Sequence, residues 1–223
     1  MLELQNVSYR YKKGNRDVLK GVTAQFEIGK VNAIVGPSGS GKTTLLSIMA
    51  GMDKPHQGDV LIGDKSLAKM DLNLYRREHI AMIFQAFHLF PLLTAIENVC
   101  YPLEISGAKT ADARTKAESL LESVGVTSDK WGRYPANLSG GEQQRVAIAR
   151  ALSVGAKVIL ADEPTGNLDT VNSDIVVNIL KQLAHDHGYC VVIVTHNPEI
   201  AKISDNIFKM DDGVLTYAEA DTI

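Results

Sequence analysis

Gly36-Pro37-Ser38-Gly39-Ser40-Gly41-Lys42-Thr43 has the spacing G-x-x-x-x-G-K-[ST] of a phosphate-binding P-loop. Val31 to Val35 before it is apolar and β-branched, as a buried strand is. Thr44 to Ala50 after it has helical periodicity, with Leu45, Leu46, Ile48 and Met49 as core residues. A strand, a glycine loop and a helix give the pattern its context. Gly36, Gly39 and Gly41 let the backbone approach a polyphosphate closely, with N–H groups turned inward. The helix N-terminus adds partial positive charge. Lys42 is long enough to reach β- and γ-phosphates, and the Thr43 hydroxyl is suited to hold Mg²⁺.

Working outward, three other strand ends carry polar residues of the kind this chemistry needs. Val158-Ile159-Leu160-Ala161-Asp162-Glu163 is an apolar strand closing in two acids, the Walker B arrangement. Asp162 can hold Mg²⁺ through water, and Glu163 can polarise an attacking water. Gln85 follows the expected strand Ile80 to Phe84, where an amide can reach Mg²⁺ or that water. Thr195-His196 closes the strand Cys190 to Val194, and His196 can hydrogen-bond a γ-phosphate. Tyr11 ends an alternating stretch, Leu2 to Tyr11. It is either a half-exposed strand residue or a ring that stacks on adenine.

Composition shifts after Gln85. Ala86 to Pro91 places Phe87, Leu89 and Phe90 in a short loop, either as core or as an exposed patch for a partner helix. Thr94 to Glu104 is an expected helix opened by a capping box, Thr94 with Glu97. Thr110 to Val124 is another, with Leu120, Leu121 and Val124 inward. Leu138-Ser139-Gly140-Gly141-Glu142-Gln143 opens a third, with Ser139 as N-cap. This is a second helix-terminal anion site, or else an ordinary capped helix. On one monomer it cannot easily share a phosphate with the P-loop. The expected domains are 1–85 with 156–223 as an α/β core, and 86–155 as an inserted helical subdomain. Further expectations are strands at Val22 to Ile28 and Gly58 to Ile62 and a short helix at Leu72 to Arg77. Thr170 to His187 is expected to be a helix burying Ile175, Val176, Ile179, Leu180 and Leu183, with His185 and His187 solvated. The hairpin is expected over Asn206 to Met210 and Val214 to Tyr217, turning at Asp211-Asp212-Gly213. A charged turn is expected over Lys12 to Arg16.

The 223 residues suit one large domain or a domain with an insertion, and 45% hydrophobic content supports a packed core. A net charge of −3 without a long basic run argues against nucleic acid as the main partner. Cys100 and Cys190 lack C-x-x-C spacing and suit a reducing compartment as small hydrophobes. The start, Met1-Leu2-Glu3-Leu4, is unlike a signal peptide. No apolar run approaches the ~20 residues of a membrane span, so work at a membrane would require another chain to hold this one there.

The ordered set Tyr11, GPSGSGKT, Gln85, LSGGEQ, VILADE, Gly166-Asn167-Leu168-Asp169 and His196 resembles the nucleotide-binding subunit of an ATP-binding cassette (ABC) transporter, over essentially the whole chain. LSGGEQ is the most specific of these motifs. The resemblance implies an α/β P-loop NTPase fold: a RecA-like core with a mostly parallel sheet, an antiparallel N-terminal β-subdomain and a helical insertion. It implies ATP and Mg²⁺ as cofactors. Nucleotide contacts would come from Tyr11, Gly36, Pro37, Ser38, Gly39, Ser40, Gly41, Lys42, Thr43 and Thr44. Two copies would close head to tail, each adding Ser139, Gly140, Gly141 and Glu142 to the other's ATP, with Asp169 at the seam. Glu163, His196 and Gln85 would be catalytic, and Thr43, Gln85 and Asp162 would serve the metal. A membrane permease would dock at Gln85 to Pro91, placing the protein peripherally on the cytoplasmic face of the cell membrane.

The run from Ala161 to Asp169 resembles the macrolide-export and lipoprotein-release subgroup, whose relatives include antimicrobial-peptide resistance and cell-division ATPases. His88 stands where Asn is expected. No regulatory domain is expected after the hairpin, unlike sugar-importer ATPases. The alternative is a soluble ABC ATPase acting on nucleic acid or ribosomes; those usually carry two cassettes or a coiled-coil insert. A kinase or GTPase leaves LSGGEQ unexplained.

Overall fold

The computed structural model describes residues 1–12 and 14–219; Lys13, inside the expected charged turn, lies outside them. The chain forms two compact units, one of residues 1–82, 157–163 and 180 onward, the other of 83–156 and 164–179. The sequence groups 83–85, 156 and, as the longest stretch, 164–179 with the core. The structure ties this segment to the helical unit through side chains: Asn167 Nδ2 donates to the Gln85 carbonyl at 3.0 Å, and Arg145 donates to Asn172 Oδ1 at 3.3 Å.

The first unit holds two sheets. β1 (Leu2–Tyr9) pairs antiparallel with β2 (Leu19–Phe26) on one side and β4 (Gln57–Ile62) on the other, and β5 (Lys65–Ser66) extends the β4 edge. In β2, Leu19, Val22, Ala24 and Phe26 are buried between exposed neighbours, the alternation of a half-buried strand. β1 ends at Tyr9, two residues before Tyr11, and β2 begins at Leu19 rather than Val22.

The second sheet has the order β10-β9-β3-β8-β7-β6. β3 (Val31–Val35) runs parallel to β8 (Cys190–Thr195) and β9 (Asn206–Asp211), and β8 runs parallel to β7 (Val158–Asp162). β6 (Ile80–Ile83) lies at one edge and β10 (Val214–Ala218) at the other. β3 and β8 are buried along their whole length, which is why they read as unbroken apolar runs rather than alternating ones. α1 (Lys42–Met49) contributes Leu45, Leu46, Ile48 and Met49 to a core shared with Leu4, Phe26 and Phe208. α2 (Leu72–Glu78), capped by Asp71, buries Tyr75, whose hydroxyl donates to the Met49 carbonyl at 2.7 Å.

β9 and β10 turn through Asp212 (φ 39°) and Gly213 (φ 82°), the positive pair a two-residue hairpin needs. Gly213 N donates to the Ser40 carbonyl at 3.0 Å, and a Cβ on Gly36 would collide with the Met210 carbonyl. The hairpin thus fixes the glycine loop from beside it.

In the second unit α3 (Ala95–Ile105), α4 (Thr110–Ser123) and α5 (Gly140–Ser153) pack pairwise, burying Val99, Leu103, Ala117, Leu121 and Val146. Of the residues expected inward on α4, Leu121 and Val124 are buried and Leu120 is half-buried. α6 (Thr170–His185) begins here and ends in the first unit. It buries Val176, Ile179, Leu180 and Leu183 as its spacing predicts, but Ile175 is 40% exposed and Val177 takes its place inside. The spacing leaves Ile175 at the border of the stripe, one step from the residues that face in. His185 is not merely solvated: its Nε2 lies 2.9 Å from Asp205 Oδ2. α7 (Pro198–Lys202), capped by Asn197, is too short to announce itself by periodicity. Among the described residues no helix is long and apolar enough to cross a membrane.

Candidate functional site

In the first unit a cleft of about 530 Å³ opens over the glycine loop, with Ser38, Gly39, Lys42 and Thr43 along it. Tyr11, Thr44, Asp162 and Glu163 also line it. Gly39 (φ 81°) and Gly41 (φ 107°) take the left-handed backbone that lets the loop curl before α1. Lys42, nearly buried, donates from Nζ to the carbonyls of Gly36 at 2.8 Å and Pro37 at 2.9 Å. Its charge is therefore stored on the loop's own backbone, within reach of an arriving anion. Among the described residues Ser40 Oγ is buried with no hydrogen-bond partner. Tyr11 is half-exposed; its hydroxyl shares a hydrogen bond with Thr44 Oγ1 at 2.8 Å, and its ring stands edge-on to Tyr9 at 5.1 Å.

Asp162 ends β7, and adjacent side chains on a continuing strand would face opposite ways. Glu163 has φ 46°, a conformation rare outside glycine, and this turn is what lets both acids line one cleft. Burial pushes the Asp162 carboxyl up, and the Glu163 charge adds to this. The Thr43 hydroxyl and the Lys42 charge pull the other way without prevailing. Glu163 Oε1 lies 2.6 Å from His196 Nδ1 and accepts the His196 backbone N–H at 3.1 Å, while Oε2 accepts the Thr195 hydroxyl at 3.1 Å.

These residues fit a nucleoside triphosphate with its cation. The loop lines the cleft with backbone and holds a stored ammonium on it. Asp162 and Thr43 are oxygen donors suited to a hard divalent ion. Among the described residues no group of three or more His, Cys, Asp and Glu could cage a metal. Phosphate and water would complete the shell, as Mg²⁺ prefers.

Gln85, Ser139 to Glu142 and Asp169 belong to the second unit. Gln85 is exposed, and its Nε2 donates to Asn167 Oδ1 at 3.4 Å. Ser139 caps α5 in a full capping box with Glu142: Glu142 Oε2 accepts the Ser139 N–H at 2.9 Å, and Ser139 Oγ accepts the Glu142 N–H at 3.3 Å. Glu142 Oε1 is ion-paired to Lys130 Nζ. A Cβ on Gly141 would collide with the Asn172 side chain. Asp169 takes the Asn172 N–H at 2.8 Å and its side-chain amide, which hold its carboxyl below the usual range.

The loop before α3 is pinned by residues the sequence does not single out. Asn98, fully buried, receives the Phe90 N–H at 2.8 Å and donates to the carbonyls of Phe90, Leu93 and Thr94. Arg150 donates to the carbonyls of Phe87 at 3.2 Å and His88 at 2.6 Å, its guanidinium 5.6 Å from the Phe90 ring centroid. Phe87 and Leu89 are half-buried, whereas Phe90 is 41% and Leu92 86% exposed. Thr195 also escapes the motif reading. Its signal is its place at the end of an apolar strand whose Val194 pairs with Asp162.

Residues 19–166 match the family model described as ABC transporter. The chain is 42% identical to the lipoprotein-releasing system ATP-binding protein LolD of Saccharophagus degradans, over 96% of each chain. It is 44% identical to the macrolide export ATP-binding/permease protein MacB of Salmonella choleraesuis, over 97% of this chain and 34% of that one. Its fold matches a dimeric, post-hydrolysis structure of the ATP-binding cassette MJ0796 bound to ADP and Pi, with a TM-score of 0.89, 38% identity and 99% of both chains covered.

Proposed function

This chain belongs to the ABC transporter ATPase family, in the lipoprotein-release and macrolide-export subgroup, and from that premise we propose how its residues divide the work of ATP hydrolysis and what the work drives. Two copies close head to tail on two ATP molecules and drive a separate membrane permease. The cargo path is export, lipoprotein release or antimicrobial-peptide resistance, and the protein sits on the cytoplasmic face. The observation that carries the reading is the convergence of Lys42, Asp162 and Glu163 on one cleft.

In this reading Lys42 leaves the Gly36 and Pro37 carbonyls for the β- and γ-phosphates, which the loop's N–H groups also hold. Tyr11 covers the adenine. Thr43 and Asp162, with Gln85 as the family resemblance implies, would hold Mg²⁺, which would offset phosphate charge when bound. Glu163 orients and polarises the attacking water in line with the γ-phosphate. His196, hydrogen-bonded to Glu163, senses that phosphate. Ser139, Gly140, Gly141 and Glu142 of one copy cover the ATP of the other, with Asp169 at the seam. Gln85 to Pro91, with Phe90 exposed, receives the permease.

Glu163→Gln keeps the side chain's size and removes its charge. Turnover should fall ~10²–10⁴-fold, the usual cost of losing a general base, and ATP should then hold two copies together. Size-exclusion chromatography with ATP and Mg²⁺ should show a dimer for this variant. Normal turnover would remove Glu163 from its role, and a slow monomer would sink the sandwich. Copurification from membranes with nucleic acid in place of a membrane protein would favour the soluble class.

A further inference from the structure

Glu142 poses an electrostatic problem for that sandwich. It stands in the first turn of α5, at the end whose free N–H groups and dipole suit an anion. A carboxylate there serves the helix, but it faces a triphosphate with like charge. The structure shows both of its oxygens engaged inside its own unit. Oε2 takes the Ser139 N–H, and Oε1 is paired with Lys130, the last residue of the turn Ser128–Lys130. The pair is largely shielded, with the Glu142 side chain 13% and Lys130 29% exposed. The Lys130 ammonium is the main reason the Glu142 carboxyl stays below its usual range. Arg133 pairs with Asp129 at 3.1 Å, and Arg145, which donates to the neutral Asn172 amide oxygen, acts on Glu142 only through space, so Lys130 is the cation that touches the carboxylate. Lys130 belongs to no nucleotide motif and arrives from a different turn of the chain.

We propose that Lys130 is a positioning residue of the Ser139–Glu142 end: it holds Glu142 in the capping box and cancels its charge, so that this end can close on the ATP phosphates carried by a second copy. The proposal rests on the sandwich reading above. Glu142 then contributes no charge of its own to the nucleotide. Its work is to shape the Ser139 turn, and Lys130 removes the repulsion that this choice of side chain introduces.

The test uses the full chain carrying Glu163→Gln, in which ATP accumulates the dimer. Lys130→Met in that background should raise the ATP concentration for half-dimerisation by about tenfold or more, the scale of one uncompensated charge near a polyanion. Binding of a fluorescent ADP analogue to the monomer should stay within about twofold, because the P-loop is untouched. The defect should shrink in high salt, which a purely structural loss would not do. Adding Glu142→Gln to Lys130→Met should restore dimerisation, since Gln keeps the capping box without the charge, and Lys130→Arg should retain it. A melting curve for each variant checks folding.

Dimerisation by Lys130→Met at the parent's ATP concentration would overturn the proposal alone. So would a double variant as poor as the single one. A Glu163→Gln parent that never dimerises with ATP would overturn the sandwich reading, and this proposal with it.

Discussion

Glu163 and His196 are joined twice, Oε1 to the ring Nδ1 at 2.6 Å and to the backbone N–H at 3.1 Å. The Thr195 hydroxyl holds the other oxygen at 3.1 Å. Three groups from one strand end therefore fix a side chain that its own positive φ has already turned back towards the cleft. Thr195→Val keeps the shape of this fully buried residue, deletes the donor to Glu163 and also removes the acceptor of the Asn197 N–H at 3.0 Å. The carboxylate then loses its fixed direction. We expect kcat for ATP to fall about tenfold, since small misplacements of a reacting group are costly, with KM within about twofold. Steady-state kinetics read this split directly; an unchanged kcat would free Thr195 from any part in aiming Glu163.

Tyr11 lies on the cleft with its ring braced by Tyr9 and its hydroxyl bonded to Thr44. Tyr11→Ala should weaken ATP binding by about 1–3 kcal/mol, the range for stacking a base on an aromatic ring. GTP should suffer equally, because every base has a π-face. Tyr11→Phe should cost only the part-buried hydrogen bond to Thr44, about 0.5–1.5 kcal/mol. Calorimetric titration of both nucleotides separates the outcomes. Equal affinity for wild type and Tyr11→Ala would return the ring to an ordinary surface position.

Local chemistry is what the sequence displays well. GPSGSGKT between strand and helix, the acids after VILA and the Ser139 N-cap each need only neighbours a few residues away. The buried runs of β3 and β8 likewise announce a sheet covered on both faces. What escapes is set by distant partners. Lys130 meets Glu142, Arg150 meets the Phe87 and His88 carbonyls, and His185 meets Asp205, pairs that no periodicity marks. Ile175 shows the limit of a helical stripe: its border residues are assigned by the neighbouring elements, not by spacing.

Asn98 is one of those hidden residues, and its loss should be felt along the loop it serves. Its side chain satisfies the Phe90 N–H and the carbonyls of Phe90, Leu93 and Thr94. Asn98→Leu conserves volume and leaves these groups to find water or go unpaired. A cost of about 1–3 kcal/mol is expected for unsatisfied buried groups. Arg150 still grips the Phe87 and His88 carbonyls, so loosening should centre on residues 90–94. Denaturant titration gives the stability change and hydrogen exchange its location. Faster exchange spread evenly over α3 would point to general loss of helix packing instead.

Asp205 offers a pH-resolved test of the second sheet. Its Oδ2 accepts the Val31 N–H at 2.7 Å at the start of β3 and meets His185 Nε2 at 2.9 Å, with Lys30 3.8 Å from Oδ1. Burial works to raise this carboxyl, but the His185 ring, the Val31 N–H and Lys30 outweigh it and hold it below the usual range. A carboxylate with a depressed folded pKa stabilises above its unfolded value, about 3.9, and loses that contribution as pH falls through the lower folded value. Asp205→Asn should therefore be less stable than wild type by about 1–2 kcal/mol at pH 7, the worth of a charge-assisted hydrogen bond over a neutral one. The gap should hold from neutral pH down to about 4 and close below that as wild-type Asp205 protonates. Urea midpoints for both proteins between neutral and strongly acid pH follow it. A gap that stays constant throughout would mean that shape, not charge, is what Asp205 supplies to β3.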